Sequence, residues 1–99
     1  MSELPRRLMI VEDDPGLLKQ LKWCFEGYDV STAGNREDAI AELRRTEPAV
    51  VLQDLGLPPK PEGVEEGLAT LAETLKLAPH TKVIVVTGNG DQQNALTAV

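Results

Sequence analysis

Short apolar runs separated by longer stretches of helical period are the feature that most restricts what this chain can fold into. The runs at 8–11 (Leu8, Met9, Ile10, Val11), 49–52 (Ala49, Val50, Val51, Leu52) and 82–87 (Lys82, Val83, Ile84, Val85, Val86, Thr87) show almost no polar alternation. Strands covered on both faces read this way, and such strands belong to parallel sheets with helices on each side. Residues 28–33 instead alternate polar and apolar, as a half-exposed edge strand does. Strand and helix patterns taking turns along the chain predict βαβ units around a mostly parallel sheet. Ninety-nine residues hold one such domain, with no internal repeat and no low-complexity tract.

Local signals place the helices. Asp14-Pro15 supplies an N-cap followed by a proline in the first turn, and Leu17, Leu18, Leu21, Cys24 and Phe25 then fall on one helical face. Trp23 and Cys24, on or beside that face, read as packing residues, and Gly27 as a C-terminal stop. Asn35 with Asp38 forms a capping arrangement for a second helix carrying Ala39, Ile40 and Leu43, closed by Pro48. Residues 55–62 hold three prolines and a glycine and predict a rigid loop. Val64, Leu68, Leu71 and Leu75 restore the helical period until Pro79, and another helix is expected to start at about Gln92.

Composition removes several classes of function. A net charge of −6 repels nucleic acid and anionic lipid, so no direct nucleic-acid contact and no membrane contact are expected of this segment. One Phe, one Trp and one Tyr leave no stacking platform for single strands. Cys24, the single cysteine, has no partner for a disulfide or a metal cluster, which predicts a reducing, cytoplasmic setting. The apolar run before Glu12 is too short for a signal or a membrane span. Arg44-Arg45 suits the end of the second helix, and His80, without a Cys or His nearby, reads as a surface residue.

The carboxylates carry the chemistry. Glu12, Asp13 and Asp14 follow the first strand, Asp54 ends the third and Thr87 ends the fourth. Right-handed crossovers bring the carboxyl ends of parallel strands to one rim, which is where such sheets bind ligands. Asp14 is accounted for as a helix cap. Asp13 and Asp54 are not, because two like charges about 4 Å apart cost roughly 4 kcal/mol at an effective dielectric of about 20. A hard divalent cation relieves that repulsion, and Mg²⁺ takes one or two carboxylates together with phosphate oxygens. Without it, the acids should titrate as a coupled group.

These residues resemble the receiver domains of bacterial two-component response regulators, and the resemblance covers essentially the whole chain. Val11-Glu12-Asp13-Asp14 is similar to the family's acidic pair after strand one, Asp54-Leu55-Gly56-Leu57-Pro58 to its phosphoacceptor motif and Val86-Thr87-Gly88 to its switch threonine motif. The resemblance implies a flavodoxin-like sheet in the order two, one, three, four. It also implies that Asp54 accepts a phosphoryl group from a histidine kinase and that Thr87 binds a phosphoryl oxygen. Mg²⁺ would be held by Asp13, Asp54 and the Gly56 carbonyl, with Glu12 orienting metal-bound water. The wording from Asp54 to Pro59, with the added Pro59-Lys60-Pro61, resembles receivers of sigma-54-dependent transcription activators.

Two features depart from the family. Its members carry a lysine and an aromatic switch residue on a fifth strand, whereas no Lys, Arg or aromatic residue follows Thr87 here. Lys82 starts the fourth strand at the far end of the sheet, and Lys60 lies on the loop. The 99 residues are therefore expected to form a single receiver domain, truncated before the fifth strand and helix, with its output domain absent from the chain. An uncovered edge of the fourth strand would favour a homodimer. Two other functions share the features: a receiver-like interaction module that needs no phosphorylation, and a Mg²⁺-dependent phosphohydrolase with an aspartate nucleophile. The latter wants a general acid two residues after Asp54, where Gly56 stands.

Overall fold

The structure is a computed structural model that describes residues 6–58, 63–86 and 96–98. Strands β1 (Arg7–Val11), β2 (Asp29–Ala33), β3 (Val50–Asp54) and β4 (Lys82–Val86) alternate with helices α1 (Pro15–Cys24), α2 (Arg36–Thr46) and α3 (Glu65–Leu77), and a short β5 (Leu96–Ala98) completes the sheet. The strand order is β2-β1-β3-β4-β5. The first four strands are parallel and in the expected order, and β5 runs antiparallel along β4.

That last strand corrects one expectation. Leu96 to Ala98 pair with Val86 to Ile84, so the outer edge of β4 is occupied by the chain itself. The ground for expecting self-association through that edge is removed. The sequence pattern missed β5 because three residues carry too little periodicity to register. Thr87, the helix start at Gln92 and the loop residues Pro59, Lys60 and Pro61 lie outside the described residues.

Alternation along the strands divides the core in two. Met9, Val11, Val51 and Val83 face α2 and α3, joining Ala39, Leu43 and Leu57, with Leu71 and Leu75 packed against them. Leu8, Ile10, Leu52 and Val86 face the other way, toward Leu18, Leu21 and Phe25 of α1. Full burial of each such aliphatic side chain contributes about 1.5–3 kcal/mol. The capping signals act as expected. Asp14 Oδ1 accepts from the Gly16 N–H at 2.9 Å, and Asn35 Oδ1 accepts from the Asp38 N–H at 2.8 Å.

Two side chains read as packing residues are not. Trp23 is 76% exposed and Cys24 is also exposed. The face that α1 turns to the sheet runs through Leu18, Leu21 and Phe25, which puts Trp23 on the opposite side of the helix. In α3 the innermost residues are Gly67, Thr70 and Thr74, so Leu68 is displaced to the surface at 48% exposure.

Candidate functional site

Parallel register builds the acidic rim. Ile10 pairs with Leu52, and the Glu12 N–H continues the ladder by donating to the Ala33 carbonyl at 2.9 Å. Two residues further along each strand, Glu12 and Asp54 therefore point to the same face from neighbouring strands. Both are buried, at 3% and 8% exposure, and Asp13 is half-buried beside them. One carboxylate oxygen from each of Glu12, Asp13 and Asp54 lies within 4.8 Å of the others. The two aspartates that the sequence pairs, after β1 and at the end of β3, do share one small volume.

Asp54 belongs to β3 itself rather than to the loop after it. Past it the chain turns sharply: the Leu57 N–H donates to the Leu55 carbonyl at 3.2 Å, and the Leu57 side chain is fully buried in the core facing α2 and α3. Gly67 of α3 sits directly on this turn. A Cβ there would collide with the carbonyl oxygen and Cα of Leu55, so only glycine lets the helix approach so closely. Nothing in the sequence reading singled out Gly67. Its signal was a lone glycine inside a helical pattern, where helix propensity alone disfavours it.

Electrostatics at the rim are those of a site short of positive charge. Glu12 is pushed up from its ordinary 4.5 to about 8, first by burial, and further by the negative charges of Asp54 and Asp13. The Asp14 N–H, donating to Glu12 Oε2 at 3.1 Å, opposes the rise. Asp54 is also raised, chiefly by burial, while the backbone N–H groups of Gly56 and Leu55 and hydrogen bonding with Glu12 hold it down. Without a cation the pair keeps a proton near neutral pH, which lessens repulsion in the pocket.

Among the described residues, then, three predicted site residues converge: Glu12, Asp13 and Asp54. Gly56 is on the adjoining turn, with its N–H facing the Asp54 carboxylate. Asp14 stands apart as the cap of α1. Lys82 is exposed at the opposite end of β4, and His80 is exposed, as read from the sequence. The pattern drew no attention to the side chain of Gln53, fully buried one residue before Asp54, whose Nε2 donates to the Asp54 carbonyl at 2.8 Å.

Carboxylates gathered at the strand ends of a parallel α/β sheet lie on the rim where such sheets bind ligands, and comparison with known proteins gives the family. The chain belongs to the response regulator receiver domain family, whose model matches residues 8–99. It is 35% identical over 100 residues to the transcriptional regulatory protein GlrR of Escherichia coli (strain K12), covering 99% of this chain and 21% of that protein. It is 32% identical over 100 residues to the alginate biosynthesis transcriptional regulatory protein AlgB of Pseudomonas aeruginosa, with the same coverage of 99% and 21%. The chain thus spans about a fifth of the length of these curated relatives. Among solved structures, a response regulator receiver domain protein (CheY-like) from Methanospirillum hungatei JF-1 is similar at 32% identity and a TM-score of 0.75, over 90% of this chain and 69% of that one.

Proposed function

We propose that residues 1–99 act as the phosphoacceptor receiver of a two-component response regulator, taking a phosphoryl group on Asp54 from a histidine kinase. The observation that carries this is the convergence of Glu12, Asp13 and Asp54 within 4.8 Å, with Glu12 Oε1 buried and, among the described residues, without a hydrogen-bond partner. An oxygen-rich and under-neutralised pocket fits a hard divalent cation. Asp13, Asp54 and the Gly56 carbonyl, with Glu12 alongside, would hold Mg²⁺. When bound, the ion supplies the positive charge that phosphoryl transfer into an acidic pocket needs.

The chain's own residues do the rest. A carboxylate oxygen of Asp54 attacks the phosphorus of the donor, forming a P–O bond as the bond to the imidazole nitrogen breaks and its electron pair leaves with the histidine. The backbone N–H groups of Leu55 and Gly56 favour the charged form of the Asp54 carboxylate. Thr87, directly after β4, is assigned the phosphoryl oxygen on the strength of its motif. The acyl phosphate carries more negative charge than the carboxylate it replaces, and that difference is the signal.

The named relatives extend the reading. Both are transcriptional regulatory proteins several times longer than this chain, so we place the receiver in a regulator of transcription, of the sigma-54-dependent class that the Asp54-to-Pro59 wording resembles. Among the described residues no helix is long and apolar enough to cross a membrane, and a cytoplasmic location suits a kinase-fed phosphoacceptor. Incubation with acetyl phosphate and Mg²⁺ followed by intact mass measurement tests the proposal. One added phosphoryl group, absent in Asp54→Asn, is the expected result. No addition would favour a phosphorylation-independent interaction module, and steady turnover of a phosphomonoester would favour a phosphohydrolase.

A further inference from the structure

Gln53 poses a question that core packing does not answer. It is fully buried, and its register partners are the apolar Val11 of β1 and Val85 of β4. Its Oε1 is buried with no hydrogen-bond partner among the described residues, a condition that costs stability and that a leucine or methionine would avoid. What the amide does provide is one bond, from Nε2 to the carbonyl oxygen of Asp54 at 2.8 Å.

That bond reaches the phosphoacceptor through a rigid unit. A peptide group is planar, so the Asp54 carbonyl and the Leu55 N–H are opposite ends of a single plate. Gln53 holds the oxygen end, and the N–H end is near enough to the Asp54 carboxylate to favour its charged form. Beyond it, the Leu55 carbonyl and Cα are pressed against Gly67 of α3. The plate is therefore fixed from two sides, by a side-chain amide within the sheet and by a helix backbone.

We propose that Gln53 is a positioning residue for phosphoacceptance, its amide setting the Asp54–Leu55 peptide plane and so the direction in which Asp54 presents its reacting oxygen. The inference rests on Asp54 being the phosphoacceptor. Methionine and leucine at position 53 keep the volume and remove the donor. In Gln53→Met and Gln53→Leu the rate constant of phosphorylation at saturating acetyl phosphate should fall about tenfold, less than the roughly hundredfold that a 1 Å misplacement costs. Half-saturation by acetyl phosphate should stay as in the unsubstituted protein.

A second readout needs neither metal nor phosphate. In the metal-free protein the amide resonances of Leu55 and Gly56 should move and their protons exchange faster in both variants, while that of Val51 stays put. A purely structural role would change thermal stability and leave the Leu55 amide and the rate constant alone, and that result would overturn the proposal. Should neither variant fold, the side-chain amide of Gln53 in the unsubstituted protein decides: one slowly exchanging proton is expected, and two fast ones would overturn it. If the unsubstituted protein takes no phosphoryl group at all, the functional reading fails, while the Leu55 amide still reports on whether Gln53 holds the peptide plane.

Discussion

Raising the pH should destabilise the metal-free protein, and Glu12 sets the size of the effect. Its carboxyl titrates at its ordinary 4.5 in the unfolded chain and at about 8 in the fold, chiefly because it is buried. Between those values the native state binds the more protons. The stabilisation is therefore complete below 4.5 and lost as the pH rises through about 8. One proton gives a slope of at most about 1.4 kcal/mol per pH unit, and over the whole interval a ceiling of about 5 kcal/mol. Asp54 shares the titration, and side-chain relaxation lowers the cost of the charged form, so a loss of about 2–4 kcal/mol is expected for the pair.

Urea unfolding in a chelator, from about pH 5 to about pH 8.5, reads this directly. Glu12→Gln keeps the shape and has no proton to lose. It should flatten most of the slope and be the more stable protein at the alkaline end, with the raised carboxyl of Asp54 leaving a residual slope of the same sign. Saturating Mg²⁺ should restore the stability of the unsubstituted protein at alkaline pH, since it binds the folded state alone. The reasoning is refuted if Glu12→Gln shows the same pH slope as the unsubstituted chain, or is less stable than it at alkaline pH.

Two further outcomes follow from named contacts. Gly67→Ala should lower stability by about 1–3 kcal/mol, because its Cβ meets the Leu55 backbone, although alanine is by itself the better helix former by about 1 kcal/mol. An unchanged or raised midpoint in thermal unfolding would mean that α3 does not press on the turn. Asp13→Ala should weaken Mg²⁺ binding, measured by calorimetry, by about tenfold or more while leaving the metal-free fold intact, because Asp13 is the half-buried member of the cluster. Affinity equal to that of the unsubstituted protein would take Asp13 out of the metal shell.

How much of this was legible in the sequence depends on the kind of signal involved. The four parallel strands were, because Leu8 to Val11 and Val83 to Val86 can be covered only in the middle of a sheet. The convergence of Asp13 with Asp54 was too, since crossover handedness leaves the ends of adjacent parallel strands nowhere else to go. The exposure of Trp23 was not, because the apolar residues of α1 wrap far enough round the helix to allow more than one buried face, and only docking on Leu8, Ile10 and Leu52 chooses Leu18, Leu21 and Phe25. Gln53 and Gly67 were missed for a related reason. Each acts through backbone it touches in three dimensions, and a polar residue near the end of a strand or a glycine inside a helix looks locally like a small defect.

The account depends most on Asp54 being the atom donor to the new bond, and the chemistry of an acyl phosphate allows that to be read by position. After treatment with acetyl phosphate and Mg²⁺, borohydride reduction converts a phosphorylated aspartate to homoserine, which peptide mass mapping locates. Homoserine at position 54 alone, formed with Mg²⁺ and not in its absence, is the predicted result. Homoserine at Asp13 or Asp14, or equal labelling at Asp54 without the ion, would contradict it.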